Sequence, residues 1–344
     1  MEKPLIKFRE SILNNIIELL WSQWNSIGLP GTMKSQNNFN VDPEAMIAFS
    51  LNICRFEPRL FDEIINWMDN NGSLINIQRL RNIINKENFK SIEIIQPIAR
   101  ILTQRKKNNK WKNLFGESNT ENNKLKSVFR KISGEDYPKF GKMDSTFEKY
   151  GYYRGEINYR NLSVGIPIKN WEALIFKIRM LFGVNARAEI INYFMVGDES
   201  HPTELANEIY FHQKTVQDAL VDMYKSGLIL MNKYGREKKY YIDKHHWYNF
   251  FNYNNQQEYW INWVKIYKAI EILIEFLYSY DISEDKHIVS EFHIRKIMKE
   301  FNEYIGVSNL KVSIPDYNKT NYSPIDYLIK QSNNVYLKLI GIYE

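Results

Sequence analysis

Cysteine is almost missing: Cys54 stands alone in 344 residues, so one chain can build neither a disulfide framework nor a four-cysteine zinc site. Lying in the apolar run from Ala48 to Ile53, it reads as a small buried hydrophobe and not as a nucleophile. Long apolar runs are missing too. Nowhere do eighteen consecutive apolar residues occur, so no membrane-spanning helix is expected. Met1 to Glu10 carries charge on both sides of Pro4 in place of an apolar signal core, which makes a cytoplasmic location the expectation. Catalytic patterns are equally scarce. The six histidines, among them His245, His246, His287 and His293, form no His-Glu-x-x-His pair and no Cys/His spacing. His245 and His246 suit packing or capping better than metal ligation. Asn71-Gly72-Ser73 does not lead into the paired acids of a nucleotidyl-transfer site. Asp281, Glu284 and Asp285 read as a solvated acidic loop, and neither a phosphate-binding loop nor a dinucleotide fingerprint is present. A protein that is not an enzyme, with no cofactor and no metal, is the expectation.

Charge of both signs is plentiful, with a net of +6 and a pI near 9.0. That balance favours an acidic partner such as nucleic acid. A chain rich in Asn, Ile and Lys reaches the same surplus through an AT-rich genome alone, so position matters more than size. Between Arg100 and Lys149 there are 13 Lys/Arg against 6 Asp/Glu, whereas between Gly183 and Lys244 there are 8 against 9.

The length suggests two or three domains. Residues 1–105 read as a helical N-terminal domain. Leu5, Phe8, Ile12, Leu13, Ile16, Ile17, Leu20 and Trp24 recur at helical spacing, and Asp42-Pro43-Glu44 is a strong helix start. Two further helices, from Pro58 and from Ile77, are joined at Asn70-Asn71-Gly72. With Arg79 and Arg81 on the second, they read either as a helical bundle, the favoured option, or as a helix-turn-helix. Residues 106–170 form a basic, irregular connector. Its start, Arg105 to Lys112 with Trp111 interleaved, suits phosphate contact plus stacking and equally a solvated linker. Leu125 to Ile132 suits a short helix, and short extended pieces suit Tyr152-Tyr153 and residues 161–164. Residues 248–344 make an aromatic-rich helical C-terminal domain whose longest helix, Ile261 to Tyr278, is either core or a dimer seam.

Within residues 171–247, Trp171 to Phe182 has Leu174, Ile175, Ile178 and Leu181 on one side of a helix. Ala186 to Met195 supplies another, and Pro202 opens a third with Leu205, Ala206 and Ile209 inside and Glu204 and Glu208 outside. Val216, Ala219, Leu220 and Met223 then recur at i, i+3, i+4 and i+7 until Gly227. Two strands follow, Leu228 to Met231 and Lys239 to Ile242, around Tyr234-Gly235-Arg236.

Pro202-Thr203-Glu204-Leu205-Ala206, Lys214-Thr215-Val216, Asp218-Ala219-Leu220, Ser226-Gly227-Leu228-Ile229 and the basic Gly235 to Tyr240 occur in that order. In this the segment resembles the winged helix-turn-helix transcriptional regulators of bacteria, the MarR-like and ArsR-like group, over about sixty residues. The resemblance implies a mainly α, multi-domain protein with a central winged helix of three helices and a β-hairpin wing. It implies double-stranded DNA as partner and transcription regulation by a homodimer that represses by occupying a pseudo-palindromic operator. On the outer side of the recognition helix, Gln213 or Gln217 would pair with adenine, Lys214 with guanine or phosphate, and Thr215 with phosphate or a thymine methyl. In the wing, Lys233, Arg236, Lys238 and Lys239 would meet phosphate or the minor groove. A solvated, charged hairpin edge is their alternative use. The chain departs from the pattern at Tyr210-Phe211-His212, where the family has Gly and a Ser or Thr cap, and its local charge of −1 offers little nonspecific attraction. A competing class is a protein-interaction subunit, an antitoxin or scaffold of a two-gene system, whose winged helix holds a protein partner.

Overall fold

A computed structural model describes residues 3–31, 39–106, 109–116, 125–139, 141–160, 165–253, 259–279 and 291–341. The molecule is mainly helical. The chain begins with α1 (Lys3–Ser26), whose apolar stripe from Leu5 to Trp24 is buried as its spacing requires. Next comes α2 (Pro43–Ile53): Asp42 accepts from the Ala45 N–H, Pro43 occupies the first turn, and ten of its eleven residues are buried, so it sits in the middle of the bundle. Around it lie α3 (Pro58–Asn71), α4 (Ile77–Glu87) and α5 (Ile92–Lys106). Asn76 caps α4, and Asn88 ends it in the left-handed region at φ 54°.

The connector folds back on this bundle. Trp111 is buried against Gly72, where an added Cβ would lie 2.9 Å from its ring, and Lys110 donates to the Gly72 and Ser73 carbonyls. No stacking platform for a base exists at Trp111. Leu125 to Ile132, expected as a helix, is extended instead: β1 (Lys126–Ser127) pairs in parallel with β2 (Tyr152–Tyr153). Arg55 reaches across to donate to the Ser127 and Val128 carbonyls, satisfying backbone groups that a helix would have paired internally. A short α6 (Ser145–Lys149) lies between the two strands, and residues 161–164 fall outside the described residues.

After the central segment come α12 (Trp263–Ser279), α13 (Glu291–Gly306) and α14 (Pro324–Leu339). Thirteen of the seventeen residues of α12 are buried, and it packs on α1, α2 and α13. Phe49 stacks on Tyr267 at 4.7 Å. The helix is therefore core, with no open stripe left for a dimer seam. One apolar cluster runs from Leu5 to Leu339 and takes in Val128, Phe147 and Tyr152 of the connector; a second runs from Trp171 to Trp260. The first and last helical segments thus share a core. No helix among the described residues is long and apolar enough to cross a membrane.

Candidate nucleic-acid interface

The second cluster is built from α7 (Leu174–Phe182), α8 (Ala186–Val196), α9 (Pro202–Glu208), α10 (Gln213–Lys225), the antiparallel strands β3 (Leu230–Tyr234) and β4 (Glu237–Tyr241), and α11 (Lys244–Phe251). His201 and Glu204 form a reciprocal capping box at α9, with Pro202 in the first turn. In α10 the expected stripe, Val216, Ala219, Leu220 and Met223, is buried. Gly227 (φ 76°) then turns the chain into β3. The strands lie nearer the tip than expected because pairing continues to Tyr234 opposite Glu237. Only Gly235 and Arg236 form the loop, with Gly235 at φ 62° in the first central position, the arrangement of a two-residue hairpin turn. Ser200 exchanges two backbone hydrogen bonds with Tyr240, anchoring the hairpin to the start of α9.

Each residue singled out in the sequence lies on one of two outer surfaces. Gln213, Lys214 and Thr215 are exposed at the start of α10 and Gln217 is half-buried; Lys233, Arg236 and Lys238 are exposed on the hairpin and Lys239 is half-buried. Gln213 is partly engaged, its Nε2 donating to Thr203 Oγ1 at 2.8 Å. Among the described residues, none of Lys214, Lys233, Arg236, Lys238 and Lys239 forms an ion pair. Lys233 stands directly opposite Lys238 across the hairpin. Like charges in that register repel and cost stability unless an anion lies over them.

The inner side of the unit is its opposite. Tyr210, in the turn between α9 and α10, takes a left-handed φ of 59°, the conformation for which a Gly is usually needed. The bundle holds it there. Arg79 Nε donates to the Ile209 carbonyl at 2.9 Å, Asn82 Nδ2 to the Tyr210 carbonyl at 3.0 Å, and the buried Tyr210 hydroxyl to Glu87 Oε1 at 2.8 Å. His212 precedes α10 without a side-chain cap bond, as poor capping chemistry predicts. So α4 supplies from outside what the turn sequence lacks.

Behind the turn lies a closed ion network. Arg79 binds Asp42 and Glu44, while Arg179 binds Glu44 at 2.7 Å and Glu189 at 2.6 Å. All five side chains are buried. Burial penalises the Asp42 charge, yet Arg79 outweighs it and holds that carboxyl below its ordinary range. At Glu189 burial prevails and the pKa rises. Arg79 is consequently a structural cation and not available to DNA, while Arg81 on the same helix is exposed. Leu181, assigned to the inner side of α7, is 58% exposed, and Arg179 points inward in its place. The one sequence signal for this was an arginine four residues after Ile175, inside an apolar stripe.

Glu208 also departs from expectation. It is half-buried and accepts from Trp260 Nε1 and Asn262 Nδ2, both at 3.1 Å, with its pKa raised by burial. With Glu189 and Glu208 turned inward and Lys239 and Lys244 half-buried, the fully exposed residues of this segment carry six cations and six acids. The connector gives less than its composition promises. Arg105 pairs with Asp69, Lys131 with Glu135 and Lys142 with Glu156, and Lys110 caps carbonyls. Comparison of the chain with known family models, curated proteins and solved structures finds no match.

Proposed function

We propose that α8 to α10 with the β3–β4 hairpin is a winged helix that binds double-stranded DNA. The protein would then be a transcriptional regulator, reading a pseudo-palindromic operator as a homodimer and repressing by occupancy. One observation carries this reading: Lys233, Arg236 and Lys238 are held together, exposed and unpaired, at the tip of a hairpin beside the exposed start of α10. A helix about 10 Å across fits the major groove, which would admit Gln213, Lys214, Thr215 and Gln217 to base edges and phosphates. The hairpin cations would then meet the flanking backbone or minor groove. Titrating salt against binding to the protein's own upstream DNA and to a scrambled duplex tests the proposal. A steep salt dependence with preference for the upstream sequence is expected, and equal absence of binding to both at low salt overturns it.

A second reading has its own support. Met180, Leu181 and Phe250 are more than half exposed, and the Phe250 ring meets Trp247, which meets Phe182. An apolar surface there suits a protein partner, so the chain would be the interaction subunit of a two-gene system. Mass measurement after co-purification with the neighbouring gene products separates the two, because a stoichiometric complex without DNA affinity favours the second.

A further inference from the structure

A cavity of about 470 Å³ lies between the end of α4, α12 and α13, within the size range of small-molecule sites. Its apolar lining includes Ile272, Phe276 and Ile297, and its charged lining includes Lys90, Glu275, Lys296 and Glu300. None of these four charged side chains forms an ion pair or side-chain hydrogen bond with another described residue. Lys296 and Glu300 are one turn apart on α13, a spacing that permits pairing. On the same helix Lys299 and Glu303 do pair at 3.8 Å, as do Arg295 and Glu291 at 3.4 Å. Lys296 and Glu300, which border the cavity, do not. Unpaired charges of both signs around an apolar lining match one kind of molecule.

We propose that this cavity binds a small zwitterion with an apolar body, of the size of a free α-amino acid. Its carboxylate would meet Lys90 or Lys296, its ammonium Glu275 or Glu300, and its side chain Ile272 and Phe276. Burial, and after it Glu271, raises the Glu275 pKa against the opposing pull of Lys90 and Lys268. Glu87 belongs to the same lining, and its carboxylate accepts the Tyr210 hydroxyl. An occupant therefore touches the residue that holds the α9–α10 turn. This makes the site a regulator of the proposed DNA reader, and only that consequence rests on the DNA-binding reading; the ligand site stands without it.

Calorimetry on the full chain, without DNA, tests the site. The probes are leucine, methionine and phenylalanine, with isocaproate and isoamylamine as leucine analogues lacking the ammonium or the carboxylate. At least one amino acid should bind, each single-charge analogue should bind about tenfold more weakly or worse, and Lys296→Glu and Glu300→Lys should each weaken binding at least about tenfold. Both substitutions are on the helix surface and should leave the melting temperature near that of the wild type. Absence of binding at millimolar concentrations overturns the proposal, as does binding that either analogue matches or that both substitutions leave intact. Hydrogen exchange reads the coupling without DNA. Ligand should slow exchange of the Phe211 amide, which donates to the Ala206 carbonyl across the turn. Unchanged exchange at saturation overturns the regulatory half. Failure of the salt titration on DNA, by contrast, would leave these outcomes as they are.

Discussion

Arg79 and Arg179 on one side of the α8–α10 unit, and Lys233, Arg236 and Lys238 on the other, are cations put to opposite uses. The two arginines are buried, and every carboxylate they meet comes from another element of the fold. The hairpin cations are exposed, and two of them face each other. A buried, fully paired network fixes geometry and has nothing left for a ligand. An exposed, self-repelling group costs stability and gains it back only when an anion arrives. Net charge over the segment mixes the two populations and conceals both.

The largest effect should come from breaking the inner side. Arg179→Met leaves Glu44 and Glu189 buried with one counter-charge between them, and should cost about 3–5 kcal/mol, read as a fall in the denaturant midpoint. A loss below about 1 kcal/mol would show that the network is water-filled and not closed. Next is Tyr210→Phe. It removes the hydroxyl bond to Glu87, which Lys265 also holds at 2.7 Å, so the expected loss is about 1 kcal/mol in chemical unfolding. Lys238→Glu on the outer side should act in the other direction on stability, raising the melting temperature slightly by replacing repulsion at Lys233 with attraction, while weakening DNA binding. A variant that melts lower and binds DNA as before would contradict the assignment of the hairpin.

The smallest effect concerns pH. Because burial raises the Glu208 carboxyl, the folded chain holds that proton more tightly than the unfolded chain does. Its contribution to stability is therefore full below the ordinary carboxylate value and is lost as pH rises through the raised one. Glu208→Gln should remove that decline, so its advantage over the wild type should appear on going from acid to neutral pH. Asp42, with its lowered value, runs the other way, and the Arg79 pairing weakens as pH falls. Thermal melts at a series of pH values separate the two trends, and a Glu208→Gln curve parallel to the wild type would contradict the first.

Much of this arrangement was legible from local pattern. Val216 to Met223 announced α10 by period, and Gly235 announced the hairpin because a tight turn needs a residue tolerant of positive φ. The strand ends shifted because pairing, not composition, decides where a ladder stops. Leu125 to Ile132 has helical composition, yet Arg55, more than seventy residues earlier, claims its carbonyls and keeps it extended. The network was hidden for the same reason. Arg179 and Glu44 lie 135 positions apart, and nothing in either neighbourhood names the other. Tyr210 looked like a defect in the turn when read locally, but Arg79, Asn82 and Glu87 make it a docking point. The outer site, being local, was easier to nominate: its residues lie together, though Gln213 is shared with Thr203.

On the proposed function, the hairpin cations are unpaired because phosphate is their partner. The most direct measurement is the slope of log affinity against log salt concentration on duplex DNA, for the wild type and for Arg236→Ala, Lys238→Ala and their combination. Each lost phosphate contact should lower the slope by about one, with the double variant lower by about two and the fold unchanged by circular dichroism. Identical slopes for all four proteins would place the DNA contact elsewhere and leave the hairpin as a solvated edge.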